Sequence, residues 1–325
     1  MQFTTLVPAY KPKYLVDLLT ALRHQTVKPA KIIFSDDSPD QSFMTALNAD
    51  PLKGLVADLK VEVTLGPRRG GYNNFRHLLR LYQAQAEGAA DLFHLLLDDD
   101  LIYPTFYEQH LHAHQSASLP CVVSRRWAAL ESGQPIRDDL PVPAAIALHP
   151  YRQLALDANT LFTHTVGASR NWLGEFSNVT FRSFMAPELI DTTMAGVEYS
   201  GLEDLGGFLK ASLHGPIGYI NSFLGSFRFN AAQNSANPMG RPLKLAFLAY
   251  ISLAIAGRRL GHLDSEQAAL SIRQVCAFIL QHYQREADMA DFCALIPRLA
   301  AGDLEAEADF LGIWSKYSVL PISSA

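Results

Sequence analysis

Cysteine is scarce in this chain: Cys121, Cys276 and Cys293 are three among 325 residues, odd in number and far apart. No C-x-x-C pair forms, so spacing argues against a disulfide framework and a zinc knuckle. Buried thiols in a reducing compartment are the remaining reading. Charge is sparse too, at 18% of residues, with 27 Lys and Arg against 32 Asp and Glu and a net charge of -5. The absence of a basic block argues against a general nucleic-acid binder, and any cationic site has to be local. The opening MQFTTLVPAYKPKYL has no basic stretch, apolar core or cleavage site of a signal peptide, and reads as a first strand. The longest apolar run, Leu245 to Gly257, is shorter than the roughly 18 residues that span a bilayer. A soluble chain, at most peripheral to a membrane, is expected.

What is present is apolar and periodic. Apolar residues make up 49% of the chain, enough for a large core and about two domains. Short apolar runs at Thr4 to Pro8, Lys31 to Ser35, Leu59 to Leu65 and Leu92 to Leu97 predict strands. Between them Leu15, Leu18, Leu19 and Leu22 recur at helical spacing, and helical patterns follow at Gln41 to Leu47 and Tyr72 to Gln85. Strands alternating with helices imply crossover connections and a mainly parallel sheet covered on both faces, the doubly wound α/β class.

After Asp100 the pattern changes. A helix is predicted from Pro104 to about Ser118, then a strand from Cys121 and a hairpin turning at Ser132 and Gly133. Asp138 to Pro150 is a proline-rich connection long enough for a functional loop. From Pro242 four helical patterns follow, near 242 to 257, 264 to 285, 288 to 299 and 303 to 318. The expected organisation is an α/β domain over residues 1 to 240 and a helical subdomain over 241 to 325.

Each of the first four strands runs directly into polar chemistry. The segments are Pro8-Ala9-Tyr10, Ser35-Asp36-Asp37-Ser38, Gly66-Pro67-Arg68-Arg69-Gly70-Gly71 and Asp98-Asp99-Asp100. Open parallel sheets bind ligands at the carboxyl ends of their strands. In extended backbone Asp98 and Asp100 would point the same way and Asp99 the other, giving an oxygen pair for one hard cation. Arg68 and Arg69 before a helix start suit phosphate oxygens. Neither G-x-G-x-x-G nor the P-loop signature occurs, so a cation bridging carboxylates to a diphosphate fits better than either.

With these residues in place the chain resembles the bacterial family-2 glycosyltransferases of the GT-A fold, a Rossmann-like, mainly parallel sheet with flanking helices. The resemblance rests on short motifs in order over residues 3 to 240. They are LVPAYKP, LRHQTVKP, SDDSPD, LLLDDDLIYP, NWLGEFSNVTFRS with Gly174, Ser177, Phe181 and Arg182, GLEDLGGFLKASLHGPIGYI, and FRFNAAQNSANP.

The resemblance implies a nucleotide-diphospho-sugar donor and a metal-dependent, inverting transfer to a glycan, lipid-linked or protein acceptor in bacterial glycan synthesis. Tyr10 would lie against the base, with Pro8 among the residues that bind the nucleotide sugar, Asp36 on the base edge, and Arg68 or Arg69 near base or phosphate. Asp98 and Asp99 would stand on the donor side, Asp98 meeting ribose or metal. Asp100 would be the firmest ligand for Mn2+ or Mg2+. Asp204, with Glu203 beside it, would be the general base. Trp172 and Gly174 would face the acceptor; Trp127 and Trp172 could each stack on a sugar ring, although tryptophan more often packs in a core or an interface.

Where many relatives carry a metal-ligating histidine this chain has Asn230, a weaker oxygen ligand. That departure keeps open a catalytically degenerate scaffold that binds a nucleotide sugar or a partner protein. Paired carboxylates at strand ends also serve nucleotidyl and phosphoryl transfer.

Other readings are weaker. Helix capping alone would explain Glu203 and Asp204. His110 and His114, four apart, could hold zinc in principle, but a solvated helix face is the expectation, with His112 beside them. The apolar helix from Pro242, flanked by Arg241, Lys244, Arg258 and Arg259, is expected to pack in its subdomain or at a homodimer contact, with an interfacial membrane helix as the alternative. The expected location is the cytoplasm, with peripheral contact at the inner membrane as the variant.

Overall fold

The computed structural model describes residues 1–85, 90–230 and 237–319. Its strands are β1 (Phe3–Ala9), β2 (Lys31–Asp36), β3 (Val61–Leu65), β4 (Leu92–Leu95), β5 (Leu101–Ile102), β6 (Cys121–Ala129), β7 (Pro135–Arg137), β8 (Gln153–Leu156), β9 (Val179–Arg182), β10 (Thr193–Met194), β11 (Val197–Glu198) and β12 (Ile217–Arg228). Early helices are α1 (Leu15–Arg23), α2 (Ser42–Leu47), α3 (Asp50–Val56), α4 (Gly71–Ala84), α5 (Phe106–Ser116), α6 (Ala144–Ala147), α7 (Ala158–His164), α8 (Met185–Ile190) and α9 (Glu203–Ser212). The C-terminal helices are α10 (Arg241–Arg259), α11 (Ser265–Tyr283), α12 (Ala290–Ala300) and α13 (Leu304–Tyr317).

The main sheet has ten strands, ordered β3-β2-β1-β4-β9-β6-β12-β5, with β7 on β6 and β8 on β12. Strands β1 to β4 are mutually parallel, and β12 is parallel to β6. Because β9 is antiparallel to both β4 and β6, those two share a direction. Thus β1, β2, β3, β4, β6 and β12 all point one way, which gives the mainly parallel α/β sheet with flanking helices that the motif order implied. Alternation along β1 sends Phe3, Val7 and Ala9 into a core with Leu15, Leu18, Leu19 and Leu22 of α1. Fully burying a leucine contributes about 1.5–3 kcal/mol, so this α1 stripe is a principal tie to the sheet. Helix α4 packs over β1 and β2, and its Tyr82 meets Phe93 of β4.

Pro8 stands in a central strand, where a missing N–H is ordinarily costly. Pairing of β4 with β1 ends at Leu6 and Leu95, so Pro8 keeps only β2 as a neighbour, with Ser35 in register. The strands part there, at the end of the sheet that carries the polar segments. The predicted hairpin is present: Leu130 donates to the Gln134 carbonyl at 2.9 Å, and Gly133 takes a φ of 85° at its turn.

Compactness divides the chain into two interleaved units. The first comprises Met1–Leu156, Leu173–Asp191 and Ala211–Asn230, and the second Asp157–Trp172, Thr192–Lys210 and Ala231–Ala325. This differs from a single boundary after residue 240, because α7 and the β10-β11 hairpin belong by contact with the C-terminal helices. Helix α10 is the apolar centre of the second unit, with Leu248 to Gly257 all buried. Its flanking cations have carboxylate or carbonyl partners within the unit. Lys244 binds Glu286 at 2.9 Å and Asp288 at 2.7 Å, Arg258 binds Glu307 at 2.7 Å, and Arg241 donates to the Tyr317 carbonyl. Among the described residues, no helix is long and apolar enough to cross a membrane.

Candidate active site

Main-chain bonds draw the ends of β1, β2, β3 and β4 together. Asp37 donates its N–H to the Ala9 carbonyl at 2.9 Å, and Gly66 donates to the Asp36 carbonyl at 2.7 Å. The Arg68 N–H reaches Asp37 Oδ1 at 2.5 Å, with Arg68 itself at a φ of 54°. A Cβ on Gly66 would meet Asp37 Oδ1 at 2.5 Å, so only glycine allows this approach. The tripeptide after β4 joins the same edge: Asp98 Oδ2 accepts the N–H groups of Tyr10 and Lys11, each at 2.6 Å.

Asp98, Asp99 and Asp100 occupy a turn closed by a 3.3 Å bond from Asp100 N–H to the Leu97 carbonyl. This corrects the extended alternation expected for them, and each carboxylate finds its own surroundings. Asp98 is buried on the Tyr10 and Lys11 amides. Burial, then the Asp99 charge, push its pKa up to about 6 despite those two donors. Asp99 pairs with the Lys11 ammonium and accepts the Asn230 side-chain amide at 3.2 Å. Burial opposes the Lys11 charge, yet Asp99 and then Asp98 hold that ammonium above its ordinary pKa.

Asp100 is 1% exposed. Its Oδ1 accepts the Arg228 N–H at 3.2 Å, whereas its Oδ2 has no hydrogen-bond partner among the described residues. Burial first, then the charges of Asp99 and Glu175, hold its carboxyl well above the usual range. It lines a cavity of ≈ 10 Å³, about the room of one water, with Arg126, Glu175, Ser177, Asn178 and Ser226. Arg126 grips Glu175 with two bonds, at 2.9 and 2.7 Å, and also pairs with Asp139.

Among the described residues no three His, Cys, Asp or Glu side chains form a metal cage. A hard cation that keeps waters and substrate phosphates needs only one or two protein carboxylates. The orphaned, buried Asp100 Oδ2 fits that requirement, and Asp98 beside it is the second candidate. Asn230 turns its amide nitrogen to Asp99, so that contact uses the donor rather than the oxygen expected of a ligand.

The other residues expected on the donor side separate. Tyr10 is 52% exposed and Arg68 and Arg69 are exposed, all on this edge. Asp36 is completely buried: Oδ1 accepts the Ser38 amide at 2.9 Å and hydroxyl at 2.5 Å, and Oδ2 accepts the Met44 amide at 2.9 Å. It organises the β2-α2 loop rather than presenting an open edge, and the neighbouring Asp37 lies beside Arg68.

Gly174 has a φ of 96°, and a Cβ there would meet Asn178 Oδ1 at 2.6 Å. The next residues, Glu175 and Asn178, cap each other's backbone. Gly174 therefore serves local packing. Trp172 is 0% exposed, which makes it a core residue rather than an open stacking face.

Glu203 and Asp204 open α9 in the second unit. Glu203 Oε1 accepts the Gly201 N–H at 2.9 Å, and burial first, then the Asp204 charge, raises the pKa of Tyr250. Part of FRFNAAQNSANP, residues 231 to 236, lies outside the described residues.

His110 and His114 are buried, not on a solvated face. His110 Nδ1 and His114 Nε2 each lie 3.0 Å from the Thr180 hydroxyl, which can donate to one and accept from the other. The residue pattern did not reveal this, nor His94, whose ring nitrogens meet the Tyr107 hydroxyl at 2.9 Å and the Ser177 carbonyl at 3.0 Å. A histidine inside an otherwise apolar strand was the available signal. Arg228, the arginine of the FRFNAAQNSANP motif, is buried; its guanidinium binds Asp17 at 2.5 Å and lies over the Tyr14 ring.

No family model and no curated protein matches the sequence. Among solved structures, the fold is similar to that of TarS from S. aureus. TarS residues 1–349 with UDP-GlcNAc give a TM-score of 0.53 at 16% identity, covering 98% of this chain and 91% of that one. The complex with UDP gives 0.51 at 13% identity with the same coverage. A longer TarS structure gives 0.53 at 14% identity, with this chain spanning 55% of it. The likeness is one of fold.

Proposed function

We propose that this protein is a glycosyltransferase that moves a sugar from a nucleotide-diphospho-sugar to an acceptor hydroxyl. The observation that carries the reading is Asp100. It is a buried carboxylate with one oxygen unpartnered, at the strand-end edge of a fold that in TarS accommodates UDP and UDP-GlcNAc.

In this reading the exposed Tyr10 ring offers a face to the base, and Arg68 and Arg69 meet the diphosphate. Asp98 and Asp100 would hold Mn2+ or Mg2+, which supplies neutralisation of charge on the departing diphosphate. Asp99, already paired with Lys11, keeps that ammonium beside the donor site. Asp204 is the proposed general base, taking the acceptor proton as the oxygen attacks the anomeric carbon. Attack opposite the leaving group inverts that carbon. Bacterial glycan synthesis is the proposed setting.

Thermal stabilisation by UDP and UDP-GlcNAc, with and without Mn2+, tests the donor class. Slow UDP-GlcNAc hydrolysis that is lost in Asp100→Ala and Asp204→Asn supports catalysis. Binding without turnover in any variant would make the chain a scaffold, and stabilisation by UTP but not UDP would favour nucleotidyl transfer.

A further inference from the structure

Trp127 and Phe223 lie outside the motifs. Their rings stack with centroids 3.8 Å apart and planes 10° from parallel, and the Arg125 guanidinium sits 4.3 Å over the Phe223 ring. Both rings are half-buried. Phe223 reaches this position because the β12 register shifts on each side of it, between Ile220 and Phe223 and again between Phe223 and Ser226. Paired irregularities of this kind re-aim a side chain beside a functional site.

The stack also has a place relative to Asp100. Trp127 pairs in register with Ser226 of β12, and Ser226 pairs with Leu101, the residue after Asp100. The aromatic deck therefore lies two strands from the candidate site, in the same row. The Trp127 indole N–H has no hydrogen-bond partner among the described residues and is not among the buried polar atoms, so it is open to a partner from outside the chain.

The rim is polar: Arg125 binds Asn221 at 3.0 Å and pairs with Asp138, while Asn221 donates to the Ala147 carbonyl at 3.0 Å. That bond ties the proline-rich loop to the deck.

We propose that this deck is the acceptor platform, and that a hexopyranose ring of a glycan acceptor lies against the Trp127 indole. The flat aromatic face suits the C–H face of a pyranose, the indole N–H donates to a ring hydroxyl, and Asp138 accepts from another. The proposal builds on the transferase reading by naming the acceptor class.

Three tryptophans make the test selective. Trp172 and Trp314 are 0% and 1% exposed, so acrylamide quenching of fluorescence in the intact protein reports Trp127. The probes are maltotriose, triacetylchitotriose and uridine. Shielding of Trp127 by a trisaccharide, with calorimetric affinity falling about tenfold in Trp127→Phe, is the expected result. Asp138→Asn, at the partly exposed rim, is the second variant and should also weaken binding.

No shielding by either trisaccharide, shielding by uridine instead, or unchanged affinity in both variants would overturn the platform. Wild-type protein that binds a trisaccharide but neither binds nor hydrolyses UDP-GlcNAc would sink the transferase reading and leave the platform standing.

Discussion

The main-chain N–H of Arg228 donates to Asp100 Oδ1 across 3.2 Å and 128 positions of sequence, while the same residue's guanidinium is committed to Asp17. The end of β12 thus holds one oxygen of Asp100 and leaves the other unpartnered.

That arrangement predicts a trade between stability and binding. Folding raises the Asp100 pKa, so the favourable contribution of its neutral form is present at low pH and lost as pH rises through the folded value. At pH 7.5 the isosteric Asp100→Asn should melt a few degrees higher without ligand and lose Mn2+-dependent stabilisation by UDP. A lower melting temperature together with retained UDP stabilisation would contradict this.

The buried histidines act in the opposite sense. Burial takes His94 down to about 3 and His114 to about 4, and lowers His110 as well. Neutral imidazoles stabilise the fold above the unfolded value near 6.5, and this is lost as pH falls below it. Each group contributes up to about 1.4 kcal/mol per pH unit. His110→Leu should narrow its stability deficit relative to wild type between pH 6.5 and 4.5. Parallel curves in chemical denaturation over that range would rule this out.

Arg126 should be costly to remove. Arg126→Met leaves Glu175 and Asp139 without their partner beside the Asp100 cavity, a loss of about 3–5 kcal/mol. Combining it with Glu175→Gln should recover part of the loss in a urea double-mutant cycle. Additive losses would show that the pair is not coupled.

Two glycines of positive φ should differ. At Gly201 (φ 99°) a Cβ would meet the Leu245 backbone at 2.8 Å, whereas at Gly261 (φ 76°) nothing lies within 4 Å. Gly261→Ala should cost about 1 kcal/mol from strain alone, and Gly201→Ala clearly more. Equal shifts in melting temperature would refute the contact argument.

Much of the architecture was legible because periodicity reports burial. The leucines of α1 and the four C-terminal helices appear within a few residues of their patterns, and the Gly133 turn is where the dipeptide placed it. The short α3 was missed, since Asp50–Val56 has little apolar repeat. At the candidate site, the clustering of polar strand ends was readable, but the orientation of individual groups was not. Asp36 turns inward to the Ser38 and Met44 amides of its own loop, Asp98 accepts the Tyr10 and Lys11 N–H groups that only folding brings near, and the Asp98 turn replaced the assumed extended chain. Trp172 and Trp127 looked alike as residue types; their burial depends on long-range packing that local pattern does not encode.

The bonds that join the four strand ends bear on how this edge could diverge or be redesigned. The Asp37 carboxylate serves the β3 loop, the Ala9 carbonyl serves the β2 loop, and the Tyr10 and Lys11 amides serve Asp98. A loop transplanted from another protein would bring its own partners and strand those left behind. Changes in the ligand preference proposed for this edge should therefore come more readily from exposed tips such as Tyr10 and Arg69, or from exchanging the loops as a set, than from grafting any one alone.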